Sequence, residues 1–345
     1  MKRRKRTLFI WTFLFILLIG IGAAAGYAVY LTDQVRQTAS ESMKELDRGE
    51  VSNKRVEEVN PAKDHTSVLF IGIDDSDKRS GQEDAPSRSD ALVLATFNQD
   101  EKSIKMLNIP RDSLTYIPEV GYEDKIAHAH AFGGIDATVA TVERMLDVPV
   151  DYYVRLNFNS FVEVVDSIGG ITYDVPFDIT EQDSSDQNGA IELKEGTQTI
   201  NGEEALALAR TRKYDSDLAR GERQMKLIQQ IFKETMSAKG LSNFDEVLNS
   251  VNNNMKTNLA FSEMITFKDY FLQKDGFTFD KMQLKGEGGF TGHGWYYQVN
   301  EEALASTTNE LKEHLGLSNP LVKDEDAEEE NVDSFSEGDD EDQSM

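Results

Sequence analysis

The sequence predicts an α/β protein: a mixed sheet core covered by helices, preceded by one transmembrane helix and followed by a disordered acidic tail. Three observations carry this expectation. Short apolar runs alternate with helical periodicity between residues 66 and 316, an uninterrupted uncharged run lies near the start, and Asp and Glu dominate the final stretch. Alternating strand and helix signals mark layered folds in which helices bury a face of a sheet.

At the start, Lys2, Arg3, Arg4, Lys5 and Arg6 precede an uncharged run from Leu8 to Leu31. A helix needs about 20 apolar residues to cross a bilayer. The basic cluster on the amino side places residues 1–7 in the cytoplasm and everything after Thr32 outside, by the positive-inside rule. The competing reading is a cleaved signal peptide with Ala23, Ala24 and Ala25 at its cleavage site, but the run is longer than the roughly 7–15 residues of a signal core. Residues 32–65 are polar and charged, show no hydrophobic face wide enough for a core, and read as a stem. Residues 317–345 carry too few apolar side chains to offset their ordering entropy and read as a disordered acidic tail.

Within residues 66–316 the runs Ser67–Ile73, Ala91–Phe97 and Ser103–Ile109 are each short enough for a buried strand. Ala127–Leu146 reads as a helix, because Ala131, Ile135, Val139, Val142 and Leu146 recur at three- and four-residue steps. Asp151–Leu156 is a strand, Asn159–Ile168 a helix closed by Gly169 and Gly170, and Ile171–Val175 a strand stopped by Pro176. Gly202–Arg210 and Gly221–Met236 read as further helices.

The formal net charge of −26 argues against a nucleic-acid surface, which needs a surplus of Lys and Arg. Any anion must therefore be met by a local basic cluster. The absence of cysteine excludes disulfides and zinc-thiolate sites. No Gly-x-Ser-x-Gly elbow, His-Glu-x-x-His helix or Walker A loop occurs. His128 and His130 are two residues apart, so on a helix they point away from each other.

Three clusters could carry chemistry. In the first, Asp74, Asp75 and Asp77 follow the first strand, and Arg88 and Asp90 lead into the second. Such carboxylates can converge on magnesium, which takes one or two of them and completes its shell with water and phosphate oxygens. Asp is equally a turn residue. In the second, Pro110 ends the third strand and directs Arg111 beside that loop, where it serves either an anion or a structural Arg–Asp pair. The third gathers Arg210, Arg212, Lys213, Asp217, Arg220, Arg223 and Gln224 within one stretch. The arginine fork matches phosphate oxygens in pairs, whereas the alternative is a solvated helix face laced with ion pairs. Lys125 either adds a charge near the phosphates or lies in a loop.

These clusters in this order, with Asp124-Lys125-Ile126, Ala131-Phe132-Gly133-Gly134, Leu193–Gln198 and Asn201–Leu206, resemble the LytR-CpsA-Psr family from about Val68 to Val299. The resemblance implies transfer of a phospho-glycopolymer, teichoic acid or capsular polysaccharide, from a polyprenyl pyrophosphate carrier to peptidoglycan at a Gram-positive cell membrane. It implies a magnesium (or manganese) ion on Asp74 and Asp90. It implies pyrophosphate contacts from Arg88, Arg111, Arg210, Arg212, Arg220 and Gln224, with Lys125 and Arg223 as further candidates. Asp217 is the candidate general base. The family's prenyl tunnel is expected along Ala127–Leu146 and Phe158–Ile168. Two positions depart from the family pattern: Asp75 and Ser76 follow Asp74 in place of an early arginine, and Ala127 stands where an asparagine is frequent. A membrane-anchored protein that captures prenyl-linked polymers without reacting them would need the same arginines but no metal.

Overall fold

Strands sort successive side chains to opposite faces, so an apolar strand inside a layered protein must feed two cores at once. The computed structural model describes residues 42–74, 87–214, 216–237, 255–271, 278–292 and 294–317. The first three strands are β1 (Thr66–Ile73), β2 (Ser89–Asn98) and β3 (Ser103–Asn108). Leu69, Ile71, Ile73, Leu92, Leu94 and Leu107 pack into one core, whereas Val68, Val93, Ala95, Phe97, Ile104 and Met106 pack into another. Burying each of these side chains larger than alanine stabilises the fold by roughly 1.5–3 kcal/mol.

A hairpin of β4 (Leu114–Ile117) and β5 (Tyr122–Lys125) follows, then helix α1 (His128–Leu146) and β6 (Tyr152–Leu156). Helix α2 (Phe158–Ser167) leads to β7 (Ile171–Val175), β8 (Ile179–Glu181), β9 (Ile191–Leu193) and β10 (Gly196–Ile200). Helices α3 (Gly202–Arg210) and α4 (Asp217–Thr235) come next, then β11 (Met255–Thr257), short helical turns over 261–271, β12 (Thr278–Gln283), a hairpin of β13 (Gly286–Thr291) and β14 (Gly294–Val299), and α5 (Glu301–His314). The central sheet has the order β11-β6-β1-β2-β3-β12. It is mixed: β1 pairs antiparallel with β2 and parallel with β6, and β3 pairs parallel with β12.

The anticipated elements lie where the sequence places them, with instructive shifts at their ends. Helix α2 starts at Phe158 because Asn157 and Ser160 form a reciprocal capping box, and α3 starts on the equivalent pair Asn201 and Glu204. Helix α4 begins four residues ahead of the expected Gly221, since Ser216 caps it by accepting from the Ala219 amide. In α1 the regular stripe holds for Ile135, Val139, Val142 and Leu146, but Ala131 is only half-buried, and Ala127 and Ala129 are buried instead. The cause is a kink at Gly133 and Gly134, where Gly134 takes φ 63 and ψ −142, a conformation open to glycine.

Residues 42–65 depart from the expected stem. Leu46 enters the α1 core, Arg48 and Ser52 bind Glu143, and Arg55 holds Asp151 at 2.7 and 2.9 Å. Charges that read as solvated are partners for carboxylates on α1 and the turn behind it. The basic start, the expected membrane span, the first part of the stem and nearly all of the acidic tail lie outside the described residues. Among the described residues no helix is long and apolar enough to cross a membrane.

Candidate functional site

The carboxyl end of β1 and the start of β2 meet at the pair Gly72 and Ala91, and a side chain at Gly72 would crowd the Ala91 methyl at 3.1 Å. Two small residues there leave space beside Asp74 and Asp90. After β3, Pro110 turns the chain and Arg111 donates from Nη1 to Asp90 Oδ1. The Arg111 Nε is buried and makes no hydrogen bond, with the Asp112 carboxylate 3.6 Å away. A buried donor without an acceptor costs about 1–3 kcal/mol, so this arrangement suits a visiting anion.

The end of α3 and the first turns of α4 complete the group. A cavity of about 270 Å³ is lined at its mouth by Asp74, Asp90, Arg111, Arg210, Arg212, Arg220 and Gln224. Four guanidinium groups thus face two carboxylates in a chain whose overall charge is strongly negative. Arg220 is only 8% exposed, and Gln224 donates to the Ala209 carbonyl at 3.2 Å, tying α4 to α3. The Arg210 guanidinium lies 4.4 Å from the Phe158 ring centre and 3.2 Å from Asp186.

Behind this polar mouth the cavity is apolar. Phe70, Val93 and Val154 line it from the sheet, Phe158, Phe161 and Val164 from α2, and Leu227, Ile228, Ile231 and Phe232 from α4. One stripe of α4, Arg220, Gln224, Leu227 and Ile231, passes from charge to hydrocarbon at three- and four-residue steps. The spacing of that stripe is present in the sequence, where nothing says what it faces. The lining expected along α1 is not found there: α1 packs with Leu69, Leu92, Leu94 and Leu107 and contributes no residue to the cavity. A strand pattern alone does not say which helix covers which face. The α2 half of that expectation coincides with the cavity wall.

Three other sequence candidates do not reach the cavity. Arg88 is exposed and outside the lining. Lys125 donates to Asp112 at 2.7 Å and lies over the Tyr296 ring at 5.6 Å. Arg223 turns away from the mouth and donates to the Leu208 carbonyl at 3.1 Å and the Thr211 carbonyl at 2.7 Å. Burial lowers its pKa from the usual guanidinium value. Arg223 thereby fastens the turn that carries Arg210 and Arg212. Asp75 and Asp77 lie outside the described residues, as does the side chain of Asp217.

Among the described residues no group of three or more His, Cys, Asp or Glu could hold a metal ion. Asp74 and Asp90 both line the cavity, with Asp90 paired to Arg111, and two carboxylates are as many as magnesium takes when phosphate oxygens and water complete its shell. Neither histidine of α1 belongs to the cavity: His128 contacts Asp124 at 2.7 Å, and buried His130 contacts the Ser87 carbonyl at 2.9 Å. Burial lowers the His130 pKa to about 4.

The LytR_cpsA_psr family model matches residues 29–313. The chain is 39% identical over 322 residues to the polyisoprenyl-teichoic acid–peptidoglycan teichoic acid transferase TagT of Bacillus subtilis, covering 92% of this chain and 98% of that one. A solved structure of TagT bound to LIIa-WTA superposes with a TM-score of 0.68 at 41% identity, covering 79% of this chain and 99% of that one. A second, TagT with bound octaprenyl pyrophosphate lipid, gives 0.64 at 39% identity over the same shares.

Proposed function

The chain belongs to the LytR-CpsA-Psr family, and from that premise we propose that it is a phosphotransferase moving a phospho-glycopolymer, such as teichoic acid, from a polyprenyl pyrophosphate carrier to peptidoglycan. The observation that carries this reading is one cavity with an arginine-rich mouth and a hydrocarbon interior. A pyrophosphate headgroup fits the first and an isoprenoid chain the second.

Phosphoryl transfer asks a protein mainly for alignment and for stabilisation of developing charge. Arg111, Arg210, Arg212 and Arg220 neutralise the diphosphate and stabilise the departing prenyl phosphate. Gln224 sets the spacing between α3 and α4. An acceptor hydroxyl attacks the phosphorus nearest the glycopolymer. Its new O–P bond forms as the bond to the bridging oxygen breaks, and that electron pair leaves with prenyl phosphate. Asp217, which opens α4 three residues before Arg220, takes the hydroxyl proton. Asp74 and Asp90 would hold a magnesium or manganese ion, which when bound would draw charge from the phosphate oxygens. Residues 8–31 anchor the chain in the cell membrane, with the amino terminus cytoplasmic and the domain facing peptidoglycan at a Gram-positive surface.

The test is reconstitution of the full chain with a polyprenyl-pyrophosphate-linked saccharide and peptidoglycan glycan strands. Release of prenyl phosphate coupled to saccharide attachment, suppressed by chelation and by Asp90→Asn, is the expected result. Tight capture of the donor with no release under any metal condition would replace the enzyme with a binding protein.

A further inference from the structure

A second, smaller cleft adjoins the same charged group. It has a volume of about 70 Å³, shares Asp90, Arg111, Arg220 and Gln224 with the lipid cavity, and is otherwise walled by Asn108, Pro110, Asp112, Leu218, Trp295 and Tyr297. The aromatic wall comes from β14, where residues two apart share a face. Trp295 and Tyr297 therefore face the cleft, while Tyr296 between them is buried and lies 3.4 Å from Asp124.

This wall is built into the site. The Tyr297 amide donates to the Asp112 carbonyl at 2.9 Å, and the Tyr297 hydroxyl donates to the Leu284 carbonyl at 2.8 Å. The hairpin is thus docked on the residue next to Arg111. The Trp295 indole lies across Gly288, where a Cβ would come within 2.3 Å of Cζ2. On the opposite wall, a Cβ at Gly221 would come within 2.2 Å of the Asn108 amide nitrogen, so glycine lets α4 close against β3. An aromatic face beside a few fixed polar groups is the chemistry that holds a pyranose ring: its C–H face lies on the aromatic ring and its hydroxyls reach polar groups.

Resting on the phosphotransferase reading, we propose that this cleft is the acceptor subsite, which seats a hexosamine ring of the glycan strand whose hydroxyl attacks the phosphorus. In-line displacement puts nucleophile and leaving group on opposite sides of the phosphorus. The prenyl phosphate leaves on the side of the apolar cavity, so the hydroxyl arrives from the side that Trp295 and Tyr297 wall. The attacking oxygen forms its bond to phosphorus, the electron pair of the broken P–O bond goes to prenyl phosphate, and the proton passes to the base assigned above.

The chain has two tryptophans, Trp11 and Trp295. In full-length protein carrying Trp11→Phe, indole emission therefore reports on Trp295 alone. A tetrasaccharide of alternating N-acetylglucosamine and N-acetylmuramic acid should change that emission saturably. In the transfer assay Trp295→Ala should raise the acceptor KM about tenfold and leave the donor KM within about twofold, and Trp295→Phe should recover most of the loss. An unchanged emission up to millimolar tetrasaccharide in protein that still transfers would overturn the proposal. So would a Trp295→Ala effect on the donor KM alone, which would place the donor's sugar in the cleft. Saturable binding to protein that transfers nothing would support the subsite and defeat the phosphotransferase reading.

Discussion

Replacing Arg111 by alanine separates a catalytic role from a structural one, because the structure assigns very different magnitudes to the two. The Arg111 and Asp90 side chains are 29% and 34% exposed. A pair so open to solvent is screened, and its loss should cost only about 0–1 kcal/mol of stability. The same guanidinium lines both the lipid cavity and the adjoining cleft. Removing a donor aimed at developing transition-state charge costs about 2–4 kcal/mol, a rate loss of roughly 30- to 1000-fold. Urea unfolding and single-turnover release of prenyl phosphate would be measured on the same preparation. The expected outcome is a nearly unchanged unfolding midpoint with a rate lowered by more than tenfold. A second arm adds Asp90→Asn. If Arg111 served only to hold Asp90 in place, Arg111→Ala would have no further effect once Asp90 is asparagine. Rates within about twofold of the parent in Arg111→Ala would refute the reasoning.

His314 is buried between the hydroxyls of Thr96 and Ser103, each 2.8 Å from a ring nitrogen, and burial with the nearby Lys105 charge lowers its pKa to about 4. The unfolded chain binds this proton first as pH falls, so stability is complete above about pH 6.5 and declines toward pH 4, by at most about 3 kcal/mol from this group. A proton-NMR titration placing the His314 midpoint near the ordinary histidine value would contradict it. Arg223→Leu strips the Leu208 and Thr211 carbonyls of their donor. Part of that loss is offset by removing a buried charge, so a destabilisation of about 2–4 kcal/mol is expected by urea unfolding, and a change under about 1 kcal/mol would deny Arg223 its role in the α3–α4 turn. Ile231→Asp sets a carboxylate against the hydrocarbon part of the cavity. Mass spectrometry should find co-purifying prenyl phosphate reduced about tenfold or more, and an undiminished lipid load would move the prenyl chain elsewhere.

Local pattern carried much of this molecule. The runs Ser67–Ile73, Ala91–Phe97 and Ser103–Ile109 read as strands because buried strands must be short, apolar and bounded by turns, and the strands formed span 66–73, 89–98 and 103–108. The α3 capping pair Asn201 and Glu204 sits in plain sequence, and so does the arginine cluster, which stands out against an acidic background. Other elements were silent. The β13–β14 hairpin is rich in glycine and lacks strict alternation, so only its pairing partner and its dock on Asp112 define it as a strand pair. The segment 42–65 reads as solvated because its charges find their carboxylates some ninety to one hundred residues away.

By itself, then, the sequence determined the strongly apolar or periodic elements, the family likeness and the stock of guanidinium and carboxylate groups, since these depend on residue type and on spacings of a few residues. Tertiary structure alone decided which of those groups share a mouth. Arg220 and Arg223 are neighbours on one helix, yet Arg220 lines the cavity and Arg223 staples two carbonyls behind it. The reason is geometric: three residues turn a helix by about 300°, so side chains on one broad face still diverge, and only the neighbouring elements settle which of them meets the ligand.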